Sequence, residues 1–330
     1  PGIPDDIILK LDEYLFERPL VEVLQQPDFI AQDTADLLRF KEGDLLGFLL
    51  KLNPEQEKFV TWAANAKGPT LLKGGPGTGK STVALYRTRE ILHRLKAAGV
   101  ESPRILFTTY TNALVTFSEQ LLKQLLGDDL RHVEVKTADS RVYTLICHET
   151  SKPKIASDRD LKQSLAAVMA AALATLPGNL LQQQAQKLIL ERLTPDYLLE
   201  EIGTVIEGRE LTTLEDYQST SRAGRMVPLN RVQRQAIWHL REHLNQHLAD
   251  QGLETWEQLR SRGADLLRTL ENPPVYDAVI VDEAQDLPPN TLRFLVQLCQ
   301  APNRLFITAD ANQSIYGSSF RWGDIHSDLR

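Results

Sequence analysis

The stretch TLLKGGPGTGKSTVALYRTREIL, from Thr70 to Leu92, decides the fold class. A short apolar run leads into a glycine-rich turn, and the turn leads into a segment of helical composition. Gly74, Gly79, Lys80 and Ser81 meet the spacing G-x-x-x-x-G-K-[ST]. Glycines at these places let successive backbone N–H groups turn inward at a helix N-terminus, where amides and helix dipole together favour an anion. Lys80 adds a point charge for the outer phosphates of a nucleotide, and the Ser81 hydroxyl suits Mg²⁺. The phosphate loop is therefore expected to run through Gly75, Gly77, Thr78, Gly79, Lys80, Ser81 and Thr82. The bland alternative is an ordinary glycine-rich turn.

A second string argues against that alternative. VIVDEAQDL, Val279 to Leu287, opens on the apolar run DAVIV (Asp277 to Val281), which reads as a buried strand. It delivers Asp282 and Glu283 at its C-terminal end, where open α/β sheets bind ligands. An isolated acidic pair is more often a solvated turn. Beside a phosphate loop, Asp282 is expected to hold Mg²⁺ with Ser81, and Glu283 to polarise the attacking water. The two strings together imply ATP and Mg²⁺ as cofactors.

Composition excludes several classes. The chain has 330 residues, 42% apolar and 25% charged, which fits a globular protein with room for two domains. No membrane-length apolar run or secretory leader pattern is present, and Cys147 and Cys299 are too few for a disulfide framework or a cysteine zinc site. A cytoplasmic monomer without membrane contact is the expectation. Opening on Pro1 rather than Met, the chain is expected to be a fragment or a trimmed product. The net charge of −7 lies in residues 1–50, which hold 11 acidic and 4 basic side chains, and the remainder is neutral. Capture of duplex DNA by a strongly basic surface is thus not expected, whereas a local groove for single strands is compatible.

Residues 1–50 read as a short, acidic helical segment, either an adaptor for a protein partner or packing for the rest. Candidate strands then fall at Thr70 to Leu72, Arg104 to Thr108, Val133 to Lys136, Asp277 to Val281 and Arg304 to Thr308. They suit a mostly parallel sheet in an α/β fold covered on both faces. Between His148 and Glu271 the pattern is helical, as in LKQSLAAVMAAALATL and VQRQAIWHLREHLNQHLADQ. Because Lys80 and Asp282 must meet at one cation, 148–271 is expected to be a helical domain inserted between the two parts of an α/β domain, 51–147 and 272–330.

Further strings fall in a set order: LNPEQEKFV (Leu52 to Val60), ILFTTYTNAL (Ile105 to Leu114) and ITADANQSIYG (Ile307 to Gly317). With the two strings above, residues 52–323 resemble the N-terminal half of UvrD/Rep/PcrA-type superfamily 1 helicases. The resemblance implies a RecA-like ATP-binding domain (1A) carrying a helical insertion (1B), in a DNA helicase or translocase, with DNA repair as a setting. It implies tracking along single-stranded DNA, or from a single-strand/duplex junction, in the 3′ to 5′ direction. Gln56 would read the adenine edge, Gln285 would link the hydrolysis site to its neighbours, and Gln313 would sense the γ-phosphate as a catalytic residue. Tyr110, Thr111, Asn112 and Thr137 would lie along the DNA, with Tyr316, Arg321 and Trp322 as a stacking and cationic cluster whose alternative is core packing.

The chain departs from the family at TADS (Thr137 to Ser140), where a His contact is usual, and at Thr82, where some relatives carry an Arg near the base. The family closes its nucleotide site with arginines from a second RecA-like half, so the chain alone is expected to be weakly active. A rival from another class is an ATP-gated binding module without motor activity. Arg222, Arg225, Arg231 and Arg234 suggest a phosphate-contacting loop or a solvated one. His239, His243 and His247 share a helical face, but no carboxylate spacing completes a metal site.

Overall fold

The computed structural model describes residues 52–62, 67–222, 225, 227–310 and 322–329. The segment 1–50, Gln313, Tyr316 and Arg321 lie outside these. Five strands form one sheet in the order β1-β5-β4-β2-β3, every pairing parallel. They are β1 (Thr70–Gly74), β2 (Ile105–Thr109), β3 (Val133–Thr137), β4 (Ala278–Val281) and β5 (Leu305–Asp310). Each sits within two residues of its sequence-expected position.

Both faces of the sheet are apolar, and the alternation along each strand sorts the side chains. On one face Ile105, Phe107, Ala278, Ile280 and Phe306 pack under α2 (Lys80–Ala97) and α3 (Asn112–Leu126). On the other, Leu106, Val279, Val281, Leu305 and Ile307 meet α4 (Ala138–Glu149), α10 (Trp256–Thr269) and α11 (Pro289–Leu298). The central strands β5, β4 and β2 are buried throughout, and each carries at least three consecutive apolar residues; β5 and β2 then end in buried polar ones, Thr308 and Asp310, and Thr108 and Thr109, toward the C-terminal edge.

A separate core belongs to the helices that follow α4 and precede α10 in the chain. Leu165 and Val168 of α5 (Asp158–Ala174), Ile189 and Leu190 of α6 (Leu180–Arg192), Leu198 of α7 (Pro195–Glu200) and Tyr217 of α8 (Leu214–Ser219) surround α9 (Arg231–Asp250). The Leu240, Leu244 and Leu248 stripe of α9 points into this core. Chain entry and exit run side by side, since Ile155 bridges Glu254 and the Ala156 N–H donates to the Glu254 carbonyl at 2.9 Å. The helix α10 follows that neck, and its Leu259, Ala264 and Leu267 pack with the sheet's core rather than with α5–α9. Gly263 permits the close approach, because a Cβ there would lie 2.9 Å from Val142 of α4.

Of the four arginines, Arg222, Arg225 and Arg234 are neither free for phosphate nor solvated. Glu201 is fully buried at the start of a π-helical turn (Glu201–Glu207) and accepts from Arg222, Arg225 and Tyr217. Burial alone would raise the Glu201 carboxyl, but Arg222, Tyr217 and Arg225 hold it below the usual range. Arg234 donates to the carbonyls of Tyr217, Thr220 and Leu229. These arginines balance a buried charge and tie down backbone that could not otherwise be buried. Arg231 alone of the four is exposed.

Candidate functional site

The site forms where β1, β4 and β5 end, at the C-terminal edge of the sheet. Its base is the turn between β1 and α2. Gly79, the N-cap of α2, has φ 74°, and Gly77 has φ 68°, both in the left-handed region that L side chains rarely enter. At Gly74 a Cβ would stand 2.7 Å from the Thr78 hydroxyl, so that position has no room for a side chain. No side chain caps α2 at Gly79, which leaves its first amides for a ligand. The Thr78 hydroxyl and the Lys80 ammonium both donate to the Gly75 carbonyl, at 2.9 and 2.7 Å. Lys80 also lies 3.8 Å from Asp310.

Strand β4 brings the acidic pair to the same edge. Asp282 is buried; it accepts from Thr308 of β5 at 2.5 Å and is hydrogen-bonded to Ser81 at the start of α2. Burial pushes its carboxyl up to about 6. Glu283 follows with φ 55°, a conformation that strains a non-glycine residue and turns the chain sharply after the strand. Gln285 then bridges two strands. Its Nε2 donates to Glu283, and its Oε1 accepts from the Asp310 N–H at 2.8 Å. A continuous chain of polar contacts therefore runs from Glu283 through Gln285 and Asp310 to Lys80. Burial, with Glu283 and Asp310 nearby, also raises the Asp286 carboxyl.

The far wall is α1 (Pro54–Thr61). Asn53 and Gln56 form a reciprocal cap: Asn53 accepts from the Gln56 N–H, and Gln56 Oε1 accepts from the Asn53 N–H, each at 2.8 Å. Gln56 Nε2 donates to the Thr78 carbonyl at 3.1 Å, fastening this helix to the phosphate loop. The amide keeps one N–H and one lone pair for another partner. Arg87 of α2 secures the other end of α1 by donating to the Val60 carbonyl at 2.7 Å, with its guanidinium 5.4 Å from the Phe306 ring. Between α1 and the loop lies a cavity of about 340 Å³, bordered by Gln56, Phe59, Leu72, Gly77, Thr78 and Lys80 among others. Phe59 does not stand out in the sequence; its spacing from Gln56, one helical turn, is the signal that could have found it.

Tyr110, Thr111, Asn112 and Thr137 lie where β2 and β3 end. Tyr110 is 37% exposed, and the exposed Leu114 and Phe117 continue from it along α3. Thr111 and Thr137 are N-caps, accepting from the Leu114 and Ser140 N–H groups at 3.2 Å. Asn112 opens α3 and is exposed. Trp322 is partly buried against the sheet's core, in α12 (Trp322–Ile325). His239 and His243 share the Thr175 hydroxyl, at 3.0 and 3.1 Å, and among the described residues no group of three or more His, Cys, Asp or Glu could hold a metal. Among those residues no helix is long and apolar enough to cross a membrane.

Comparison with known proteins agrees with this geometry. Residues 52–329 match the model of the UvrD/REP helicase N-terminal domain. YjcD of Bacillus subtilis (strain 168), provisionally named as an ATP-dependent DNA helicase, is 22% identical over 275 residues. That alignment covers 80% of this chain and 32% of YjcD, so the chain spans about a third of that relative's length. With the matched residues spanning the parallel sheet, the phosphate loop and the acidic strand end, the chain belongs to the UvrD/REP helicase N-terminal domain family, whose domain binds ATP.

Proposed function

We propose that this chain is the ATP-hydrolysing half of a DNA motor that tracks along single-stranded DNA in the 3′ to 5′ direction. The observation that carries the reading is the contact chain Glu283, Gln285, Asp310, Lys80, which couples the ends of β4, β5 and the phosphate loop. Such an arrangement places a water-polarising carboxylate and a phosphate-binding ammonium on one connected support. Mg²⁺ fits the pair Ser81 and Asp282: a hydroxyl and a carboxylate, already in contact, are the hard oxygen donors this ion takes. Bound there, the ion would neutralise charge on the phosphates. Gln313, outside the described residues, is proposed as the sensor of the γ-phosphate.

Packing supports a domain scheme in which the insertion is 156–253, shorter than the sequence pattern suggests, with α10 counted in the α/β domain. Lys80→Ala is the test of the nucleotide site. It should weaken Mg-ATP binding by about 2 kcal/mol or more, the scale of a lost charge-assisted contact, while a cooperative melting curve, lowered by the loss of the Asp310 contact, shows that the variant still folds. Unchanged affinity by calorimetry would remove Lys80 from the phosphate site.

The DNA face is proposed to run over Tyr110, Thr111, Asn112 and Thr137, with Tyr316, Arg321 and the half-buried Trp322. Single-stranded oligonucleotide should bind more tightly than blunt duplex, with a modest salt dependence. Tyr110→Ala should cost about 1–3 kcal/mol of that affinity in fluorescence anisotropy, the worth of one stacked base. No loss would mean that Tyr110 lies off the track.

A further inference from the structure

Phe59 is a large aromatic side chain left 37% exposed on the wall of the cavity that also contains the phosphate loop. An exposed ring on a concave surface costs hydration free energy unless something covers it. Its setting narrows what that is. Phe59 lies three residues after Gln56, so the two side chains share one face of α1. The remaining walls combine apolar Leu72 and Val83 with the glycines of the loop and Lys80. At about 340 Å³ the cavity falls at the lower end of the range for small-molecule sites, about 300–1,000 Å³.

The helix is also held firmly enough to offer a fixed surface. Gln56 ties its start to the Thr78 carbonyl, and Arg87 ties its end to α2 through the carbonyl of Val60, the residue next to Phe59. Trp62 stands beside the ring, with centroids 6.1 Å apart and planes inclined by 54°, limiting where it can turn. A flat apolar face one turn from an amide with a spare donor and a spare acceptor matches a heteroaromatic base, which needs stacking on its face and hydrogen bonds at its edge.

We propose that Phe59 is the stacking surface for the purine base of the bound nucleoside triphosphate, acting together with the Gln56 amide as a base subsite. This deepens the proposed function and rests on the phosphate loop being the nucleotide site. Phe59 takes no part in hydrolysis. Its role is to add affinity that depends on the base, which inorganic tripolyphosphate cannot use.

The test compares Mg-ATP with Mg-tripolyphosphate by isothermal titration calorimetry on the 330-residue chain. The wild-type chain should prefer ATP by roughly 5- to 150-fold, the range for one stacked base. Phe59→Ala should lose most of that preference while its affinity for tripolyphosphate stays unchanged. Phe59→Trp should restore the preference, and melting curves should show that both variants fold. If Phe59→Ala leaves ATP binding unchanged, or weakens both ligands equally, the base subsite is not at Phe59. If the wild-type chain binds tripolyphosphate and ATP alike, there is no base subsite at all. If it binds neither, the fault lies with the phosphate loop itself, and the function proposed above falls with it.

Discussion

Glu283→Gln is expected to reduce steady-state ATP hydrolysis by about 10²–10⁴-fold, the usual worth of a positioned general base, while Mg-ATP affinity stays close to that of the wild type. The amide has the shape of the carboxylate but cannot take a proton from water. It can still accept the hydrogen bond from Gln285, so the turn after β4 should keep its geometry despite the left-handed backbone at this position. Phosphate release measured beside a binding titration separates the two effects. Wild-type turnover in the variant would mean that another group activates the water. Lost binding would mean that the substitution disturbs the Asp282 end of the site instead.

The second large effect concerns what the chain does by itself. Its described residues hold one parallel sheet, and the alignment with YjcD covers only 32% of that relative. The family resemblance places transition-state arginines on a second RecA-like half. Arginine fingers in P-loop enzymes are worth about 10³–10⁵ in rate. The 330-residue chain should therefore bind Mg-ATP yet hydrolyse it slowly, with little stimulation by single-stranded DNA and no unwinding. A polypeptide that joins this chain to such a second half should recover the missing rate. Strong DNA-stimulated turnover by the chain alone would show that one half suffices.

The sheet is legible in the sequence because β2, β4 and β5 are buried on both faces and so each carries at least three consecutive apolar residues. The phosphate loop is legible because left-handed backbone at Gly77 and Gly79 and the tight space at Gly74 demand glycine. What periodicity does not supply is partnership. The pattern of α10 declares an amphipathic helix but not that Leu259 and Leu267 join the sheet's core, where Gly263 allows a close approach to Val142. Arg222 and Arg225 look like surface charges until the burial of Glu201, some twenty residues upstream, is known. The family resemblance marks Gln56 for a ligand, whereas its first visible work is structural, in the cap with Asn53 and the bond to Thr78. Phe59 escapes notice because an aromatic residue in an amphipathic helix ordinarily faces a core.

The most direct measurement is the position of a nucleotide in a crystal structure of the chain with Mg²⁺ and a non-hydrolysable ATP analogue. The triphosphate should lie on the amides between Gly75 and Ser81, with Lys80 turned from the Gly75 carbonyl toward the outer phosphates. Mg²⁺ should sit beside Ser81 and Asp282, and Glu283 should face the γ-phosphate. A nucleotide bound elsewhere on the molecule, with the loop after β1 empty at saturating ligand, would contradict the assignment of this edge of the sheet as the ATP site.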